Sequence, residues 1–542
     1  MNKDVKTRRI AVVGFGPRGL GALEALADCM ADRDLSLAVD MYDANAARGA
    51  GPNFDPDESP LCLLNIPNRD INIRPPGFSK LGGFTDWSGP DCDPDAFPPR
   101  AELGRYLRAR SADLLGRDSP EITPVAGEVE RITRDGSRWR IETAQGASAV
   151  YDEVLLTLGQ PPVSPDDQLA EWRDHAARTT ARLAGAYPAK TLIGEAANWT
   201  GRTVAVRGLA LSFFDVLRAL TAAQGGRFEQ GRYTPSGQEP ARIVPFSLDG
   251  KPPFPKPATE EIDAWFDPLD TETTAFETAM ATASQSDPDT ARHLITTALI
   301  PVADRILKAQ GADLAGVYAW LDTEWSDPGS QETGDTFETL RHGVALAEGT
   351  APLTIGYTLG QIWRKWQDQV RAGYNPATTP PESAKIIVGF DEGMKRYSYG
   401  PPVSSAREML AVIDAGLIDL DFAADPDIDL TDDGWTLTSG AGTAEASVMI
   451  DAVLPPPDPA SVTAPLIRDL MDRGVLASID EGLSANTAAD GGLIDADGQD
   501  QPGLCLLGRL ALGSVIAVDS LHDCFGEASR RWARGVCNRL TG

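Results

Sequence analysis

Histidine and cysteine are scarce in this chain. Among 542 residues there are four histidines, His175, His293, His342 and His522, and six cysteines. The histidines show neither H-x-x-x-H nor H-x-H spacing, so no metal site is expected. Cys29, Cys62, Cys92, Cys505, Cys524 and Cys537 include no C-x-x-C pair. That excludes a redox dithiol and a zinc ribbon, and leaves six small buried side chains in a reducing compartment. Positive charge is also short: 49 Lys plus Arg face 79 Asp plus Glu, a formal net charge of -30. Such a field repels phosphate backbones and anionic lipid, which argues against nucleic-acid and membrane-surface partners. The acidic surface itself says nothing about substrate. No apolar run approaches the roughly 20 residues of a membrane span. The opening MNKDVKTRRI imitates a signal peptide, but Gly14, Gly16, Pro17, Arg18 and Gly19 break the apolar run behind it. The expectation is a soluble, cytoplasmic protein that takes a small-molecule substrate, with the oligomeric state open.

What the chain does have is length and apolar content. Hydrophobic residues make up 42%, enough to pack real interiors, and the length calls for two or three units. Arg9 to Val13 (RIAVV) predicts a buried parallel strand. The run GFGPRG follows, Gly14, Phe15, Gly16, Pro17, Arg18 and Gly19, with glycines at the G-x-G-x-x-G spacing. Gly14 permits the tight turn, Gly16 lets backbone approach a pyrophosphate, and Gly19 lets the helix close on the strand. Pro17 suits a helix start because its missing N–H costs nothing there. Leu20, Leu23, Ala27 and Met30 then recur at helical spacing. A second strand, LAVDMYD, ends in Asp43, placed to bind adenosine ribose hydroxyls. The terminal acid fits FAD or NAD and argues against NADP at this first site.

Two further segments select FAD. DEVLLTLGQ (152–160), carrying Gly159 and followed by two prolines, resembles the T-x-G strand of two-dinucleotide-binding flavoproteins. GLCLLGRLALGSVIAVD (503–519) resembles their closing strand and turn. The resemblance implies that Gly508, Asp519 and the next helix face the flavin, with Ser520 or Asp519 capping that helix and Asp523 as capping-box partner. The usual G-D dipeptide is Gly508-Arg509 here, so the carboxylate's role shifts to Asp519 or is absent. Over almost its whole length the chain is similar to a bacterial family of FAD/NAD(P)-binding proteins, loosely related to flavin monooxygenases. The motifs are GFGPRGLGALEAL (14–26), GAGPNFDP (49–56), LLNIP (63–67), FTDW (84–87), PPRAELGRYL (98–107), RGLALSFFDVLRALT (207–221), YTPSGQEPARIV (233–244) and YGPP (399–402). Some similar flavoproteins N-hydroxylate small amino acids such as aspartate.

TVAVR (203–207) followed by GLALSF predicts a second, degenerate dinucleotide turn at Gly208, Ala210 and Ser212. Phe213 stands at the third glycine position, and Asp215 is expected in the first helical turn, where it would compete with a phosphate. An ordinary βα turn is the alternative. Arg227 and Arg232 are candidates to read a 2′-phosphate; exposed arginines need no such role.

The expected fold is α/β: a Rossmann-type, glutathione-reductase-like FAD domain, a second degenerate Rossmann unit and a helical insertion. The boundaries are 1–200 with 450–542 for the FAD domain, 201–250 with 384–454 for the second unit, and 251–383 for the insertion. The prolines of KPPFPKP (251–257) and NPATTPPES (375–383) bracket the insertion. Within it Ile362, Trp363 and Trp366 read as packing residues. Flavin enzymes leave the electron chemistry to the cofactor, so no triad is required. In LLNIPNRDINIRPPGFSKLGGFTDW (63–87), Asn65, Arg69, Asn72 and Arg74 are candidate ligands of flavin or a carboxylate substrate, and Trp87 a ring-packing residue. A capped loop with surface arginines is the rival reading. His522 and Arg74 are the candidates for catalysis, His522 as ring-tuning or proton-relaying group or as simple lining. The function expected is FAD-dependent, NAD(P)H-dependent monooxygenation of a small polar metabolite, an amino-acid N-hydroxylase among the options. The alternatives are a flavin oxidase or dehydrogenase without pyridine nucleotide, and a non-catalytic nucleotide-binding protein.

Overall fold

A computed structural model describes residues 7–541 apart from 32, 34, 44–47 and 376–378. The first six residues, and 376–378 of the second proline-rich bracket, therefore lie outside the described residues. Among the described residues no helix is long and apolar enough to cross a membrane, and no cluster of ligands could hold a metal ion.

Two parallel sheets organise the chain. The first has six strands in the order Gly492–Ile494, Asp500–Leu506, Glu153–Leu156, Arg8–Val13, Leu37–Tyr42 and Glu121–Val125. All neighbours are parallel except the outer pair, 492–494 with 500–506. Its inner strands are short apolar runs because both faces are covered, one by helices and the other by the antiparallel strands of 129–151 with helix Pro465–Asp472. Helix Pro17–Met30 crosses from the first strand to the second and buries Leu20, Leu23, Ala27 and Met30. Helix Glu527–Thr541 packs beside it through Trp532, Val536 and Cys537.

The second sheet has four parallel strands, Arg242–Phe246, Thr203–Arg207, Val448–Asp451 and Arg182–Gly185. Its plan repeats the first. In the first unit a three-stranded antiparallel meander over 129–151 leads into strand Glu153–Leu156; in the second, a meander over 427–446 leads into strand Val448–Asp451.

Two segments fall on the other side of the expected boundaries. Strand Arg182–Gly185 and helix Ala189–Ala196 precede residue 200, yet the strand pairs into the second sheet and Leu192 and Ala196 pack in its core. Helix Pro381–Ser398 follows residue 383, yet Ile387, Phe390, Met394 and Tyr397 pack in the helical core with Trp363 and Trp366. Helix Val403–Asp414 packs in the core of the second unit, through Val403, Ala406 and Met409. Helical periodicity fixes that a face is apolar, not which core receives it.

The insertion is an all-helical body. Ile362, Trp363 and Trp366 are buried, and Phe276 stacks on Trp366 at 4.2 Å while meeting Trp363 edge-on. Truncating a fully buried aromatic side chain costs about 3–5 kcal/mol. Phe276→Ala should lower stability by that amount in urea titration followed by tryptophan fluorescence, a probe that reports this cluster directly.

Candidate functional site

The two units and the insertion enclose one cleft of about 2010 Å³. The first strand delivers Gly14 to its edge. Gly14 has φ +94°, and its N–H donates to the Tyr42 carbonyl at 2.8 Å. A Cβ on Gly14 would lie 2.4 Å from the carbonyl oxygen of Thr157, and one on Gly19 would lie 2.5 Å from that of Gly14. Both glycines are thus required by backbone packing, and Gly19 stands behind the cleft wall rather than in it. Gly16 differs: its Cβ would find only the Gly51 Cα, at 3.7 Å. The space beside it is open, and no side chain caps the helix it begins. An open glycine at an uncapped helix start fits a pyrophosphate. Phe15, Pro17, Arg18, Asp43 and Gly159 also line the cleft.

The second turn reproduces this geometry. Gly208 has φ +108°, its N–H donates to the Phe246 carbonyl at 2.8 Å, and a Cβ would lie 3.1 Å from the Ala452 carbonyl carbon. Helix Leu211–Leu220 begins at Ala210, again with no side-chain cap. Gly208, Ala210 and Ser212 face the same cleft. Phe213 turns into the second unit's core. Asp215 is the fifth residue of this helix, beyond its first turn, which contains no acid. Its carboxylate binds Arg100 of the first unit at 2.6 Å and accepts the Tyr187 hydroxyl at 2.6 Å. The expected conflict with a phosphate is absent because the charge is paired across the unit boundary. Arg227 and Arg232 lie on an exposed hairpin and are not part of the cleft wall.

The C-terminal turn forms the third wall. Arg18 reaches from the first helix to Asp523 at 2.8 Å and to the Val518 carbonyl at 3.1 Å. Its side chain passes over Gly508, where a Cβ would meet it at 3.0 Å. Asp523 therefore serves Arg18 and not a capping box; Ser520 caps the four-residue helix Leu521–Cys524 by accepting from the His522 N–H. Asp519 is not a lone carboxylate. Burial opposes its charge, but Lys395 at 2.7 Å and Arg509 at 3.1 Å hold it below the usual carboxylate range.

His522 joins this turn to the Asn65 loop. Its Nε2 lies 2.7 Å from the Asp70 carbonyl, so Nε2 carries the proton and donates, leaving Nδ1 toward Ser520 at 3.5 Å. Burial pulls the imidazole below its ordinary value, favouring the neutral ring. Asn65 and Asn72 line the cleft. Arg69 pairs with Asp95. Arg74 is exposed, 3.8 Å from Asp86 and outside the cleft. Trp87 packs against Phe84 and Tyr106 and likewise stands outside.

The sequence reading missed the wall supplied by the insertion. Lys256, Arg364, Lys365, Arg371 and Lys395 all reach the cleft. Arg364 pairs with Asp263 and, at 3.5 Å, with Asp70. Arg364 and Lys365 end helix Ile355–Lys365, where cations are ordinary, so they gave no local signal of a cleft.

The contrast between Gly16 and Gly14 yields a prediction. Gly16→Val should fold, with apoprotein melting near the parent's, yet retain no bound dinucleotide by absorbance. Gly14→Ala should instead destabilise the fold, by about 1–3 kcal/mol from its left-handed backbone alone and more from the clash, in denaturant titration.

Comparison with known proteins agrees with the geometry. Residues 11–161 match a family described as FAD-NAD(P)-binding. An L-aspartate N-monooxygenase (nitrosuccinate-forming) of Streptomyces davaonensis is 26% identical over 86% of this chain and 85% of its own length. One from Streptomyces cremeus is 25% identical over 90% and 86%. Among solved structures, the ornithine N-hydroxylase of Kutzneria sp. 744 superposes with a TM-score of 0.50 at 13% identity, covering 98% of this chain and 100% of that one; it shows the shared fold. This chain is an FAD-dependent oxidoreductase on the two-dinucleotide-binding flavoprotein fold, with its FAD-NAD(P)-binding family segment at residues 11–161.

Proposed function

We propose that the protein is an NADPH-dependent flavin monooxygenase that oxygenates the amino nitrogen of L-aspartate or a close acidic analogue. The observation that carries this reading is the pair of equivalent glycine turns, Gly14 and Gly208, opening on one cleft. Two dinucleotides held there would meet head to head, as hydride transfer between them requires. Support for the substrate comes from the Streptomyces relatives named above, aligned over most of both chains, and from the cationic wall that the insertion presents.

Gly14, Gly16 and the start of helix Pro17–Met30 would hold the FAD pyrophosphate, and Asp43 the adenosine ribose. Asn65, Gly159, Gly508 and the turn around Asp519 would wall the ring. FAD bound there and reduced by NADPH would supply the electrons that activate O₂, one oxygen atom of the O₂ going to the substrate nitrogen and the other to water. The chain's own work is positional. His522 clamps the C-terminal turn to the Asp70 carbonyl; Arg18 does the same from the fingerprint helix. Arg100 and Asp215 tie the two units together across the cleft.

Superposing the two turns by their hydrogen bonds also gives a nucleotide preference. The Gly14 N–H goes to Tyr42, which precedes Asp43; the Gly208 N–H goes to Phe246, which precedes Ser247. A neutral serine thus stands where the first unit has a ribose-binding acid, and nearby Lys251 lines the cleft. A carboxylate there would repel a 2′-phosphate and a serine does not.

The purified protein should be yellow, and NADPH should bleach it under anaerobic conditions. L-Aspartate should accelerate aerobic NADPH consumption and appear as an N-oxygenated product by mass spectrometry. Failure of bleaching by either nucleotide would leave the oxidase reading in its place. NADPH should exceed NADH in kcat/KM by about tenfold or more, an energy difference near 1.4 kcal/mol, and Lys251→Ala should narrow that ratio.

A further inference from the structure

Among the described residues, one buried cation of the cleft has no carboxylate within ion-pair distance. Lys256 is 7% exposed and lines the cleft. Its ammonium donates to the backbone carbonyl of Asn65, and no ion pair forms on it among the described residues. Its neighbours are satisfied: Arg364 by Asp263 and Asp70, Lys365 by Asp263 and by Asp267 at 2.7 Å, Arg69 by Asp95. The side chain is also firmly aimed. Pro255 and Pro257 flank it. The Lys256 N–H donates to the Pro401 carbonyl at 3.1 Å, and the Pro255 carbonyl accepts the Tyr357 hydroxyl at 2.9 Å.

A buried ammonium facing only a neutral carbonyl is an unfavourable arrangement. Burial first, then the Arg364 and Arg69 charges, push Lys256 down to about 7, against the opposing pull of Asp70 and Asp263. An anion entering the cleft would remove the imbalance. The chain carries a net charge of -30, so leaving a buried cation unpaired inside the cleft marks where an anion is received. Resting on the amino-acid substrate proposed above, we propose that Lys256 is the counter-ion of a substrate carboxylate, held beside the Asn65 carbonyl where the loop 63–72 meets the insertion.

The protonated lysine is the form that binds. The charge is present below its pKa and lost as pH rises through about 7, so affinity must fall with rising pH. The charged groups that bear on Lys256 are Arg364, Arg69, Asp70 and Asp263; Asp263 is held below the usual carboxylate range by Arg364 and Lys365 against its burial, and burial pulls His522, on the same cleft, below its ordinary value.

The test is calorimetric binding of L-aspartate to the oxidised FAD-loaded protein between pH 6 and 8.5. Kd should rise about 30-fold over that range, as follows from a single group near 7. Lys256→Met should weaken binding at pH 6 about tenfold or more and abolish the pH dependence. Lys256→Arg, charged throughout, should bind at pH 6 and keep binding at pH 8.5. FAD absorbance serves as the folding check; should Lys256→Met fail it, the parent's pH series and Lys256→Arg decide. Aspartate binding that ignores both pH and Lys256 overturns this inference alone. A kcat that falls below pH 7 with unchanged Kd overturns it in favour of a general base. No aspartate binding at all overturns the substrate reading, and this inference with it, while NADPH bleaching still stands.

Discussion

The close approach of backbone to backbone at the exit of the first strand is the constraint on which the rest depends. Gly14 sits so near the Thr157 carbonyl that a Cβ would penetrate it. That contact lets the first helix start directly at the sheet's end, with Gly16 bare toward the cleft. The same contact recurs at Gly208 against Ala452. In each unit the glycine N–H is tied to the end of the neighbouring strand, Tyr42 or Phe246. Two helix starts are thereby fixed at the carboxyl ends of two parallel sheets, where ligands of such folds bind.

Charge placement completes the site. The surface is strongly acidic, yet the cleft gathers arginines and lysines, and nearly every one is spent on a named carboxylate or carbonyl. Arg18 with Asp523, Arg100 with Asp215, and Lys395 with Asp519 each join segments far apart in sequence, and Arg509 pairs with Asp519 within the closing turn. Such pairs add little net stability when buried, but removing one partner is costly. Their effect is to hold three bodies in one arrangement. The replacement of an acid by Arg509 in the closing turn is part of this scheme, since its partner Asp519 is neutralised by two cations.

Much of the fold was legible because its signals are local. Strand, glycines, helix and terminal acid occur within residues 8–43, and each has a short-range physical cause. The T-x-G strand and the closing strand, 153–156 and 500–506, could be recognised individually and indeed pair with one another. Domain edges were less legible: helix Pro381–Ser398 has an apolar face suited to either core, and only packing assigns it. Among site residues, Trp87 and Arg74 were misjudged for a related reason. An aromatic ring or guanidinium in an unusual loop carries no mark of direction, and here one turns into the core and the other into solvent.

The sequence by itself determined the two glycine turns at the ends of strands Arg8–Val13 and Thr203–Arg207, since the requirement for glycine at positive φ is written in residue type and spacing. It also showed that neither C-x-x-C nor paired-histidine spacing occurs. The tertiary structure alone decided what faces the cleft from the insertion. Lys256 lies 191 residues from Asn65, and Arg364 lies 294 from Asp70; no periodicity links such positions. A charge finds its partner, or is left without one, only when the chain has folded.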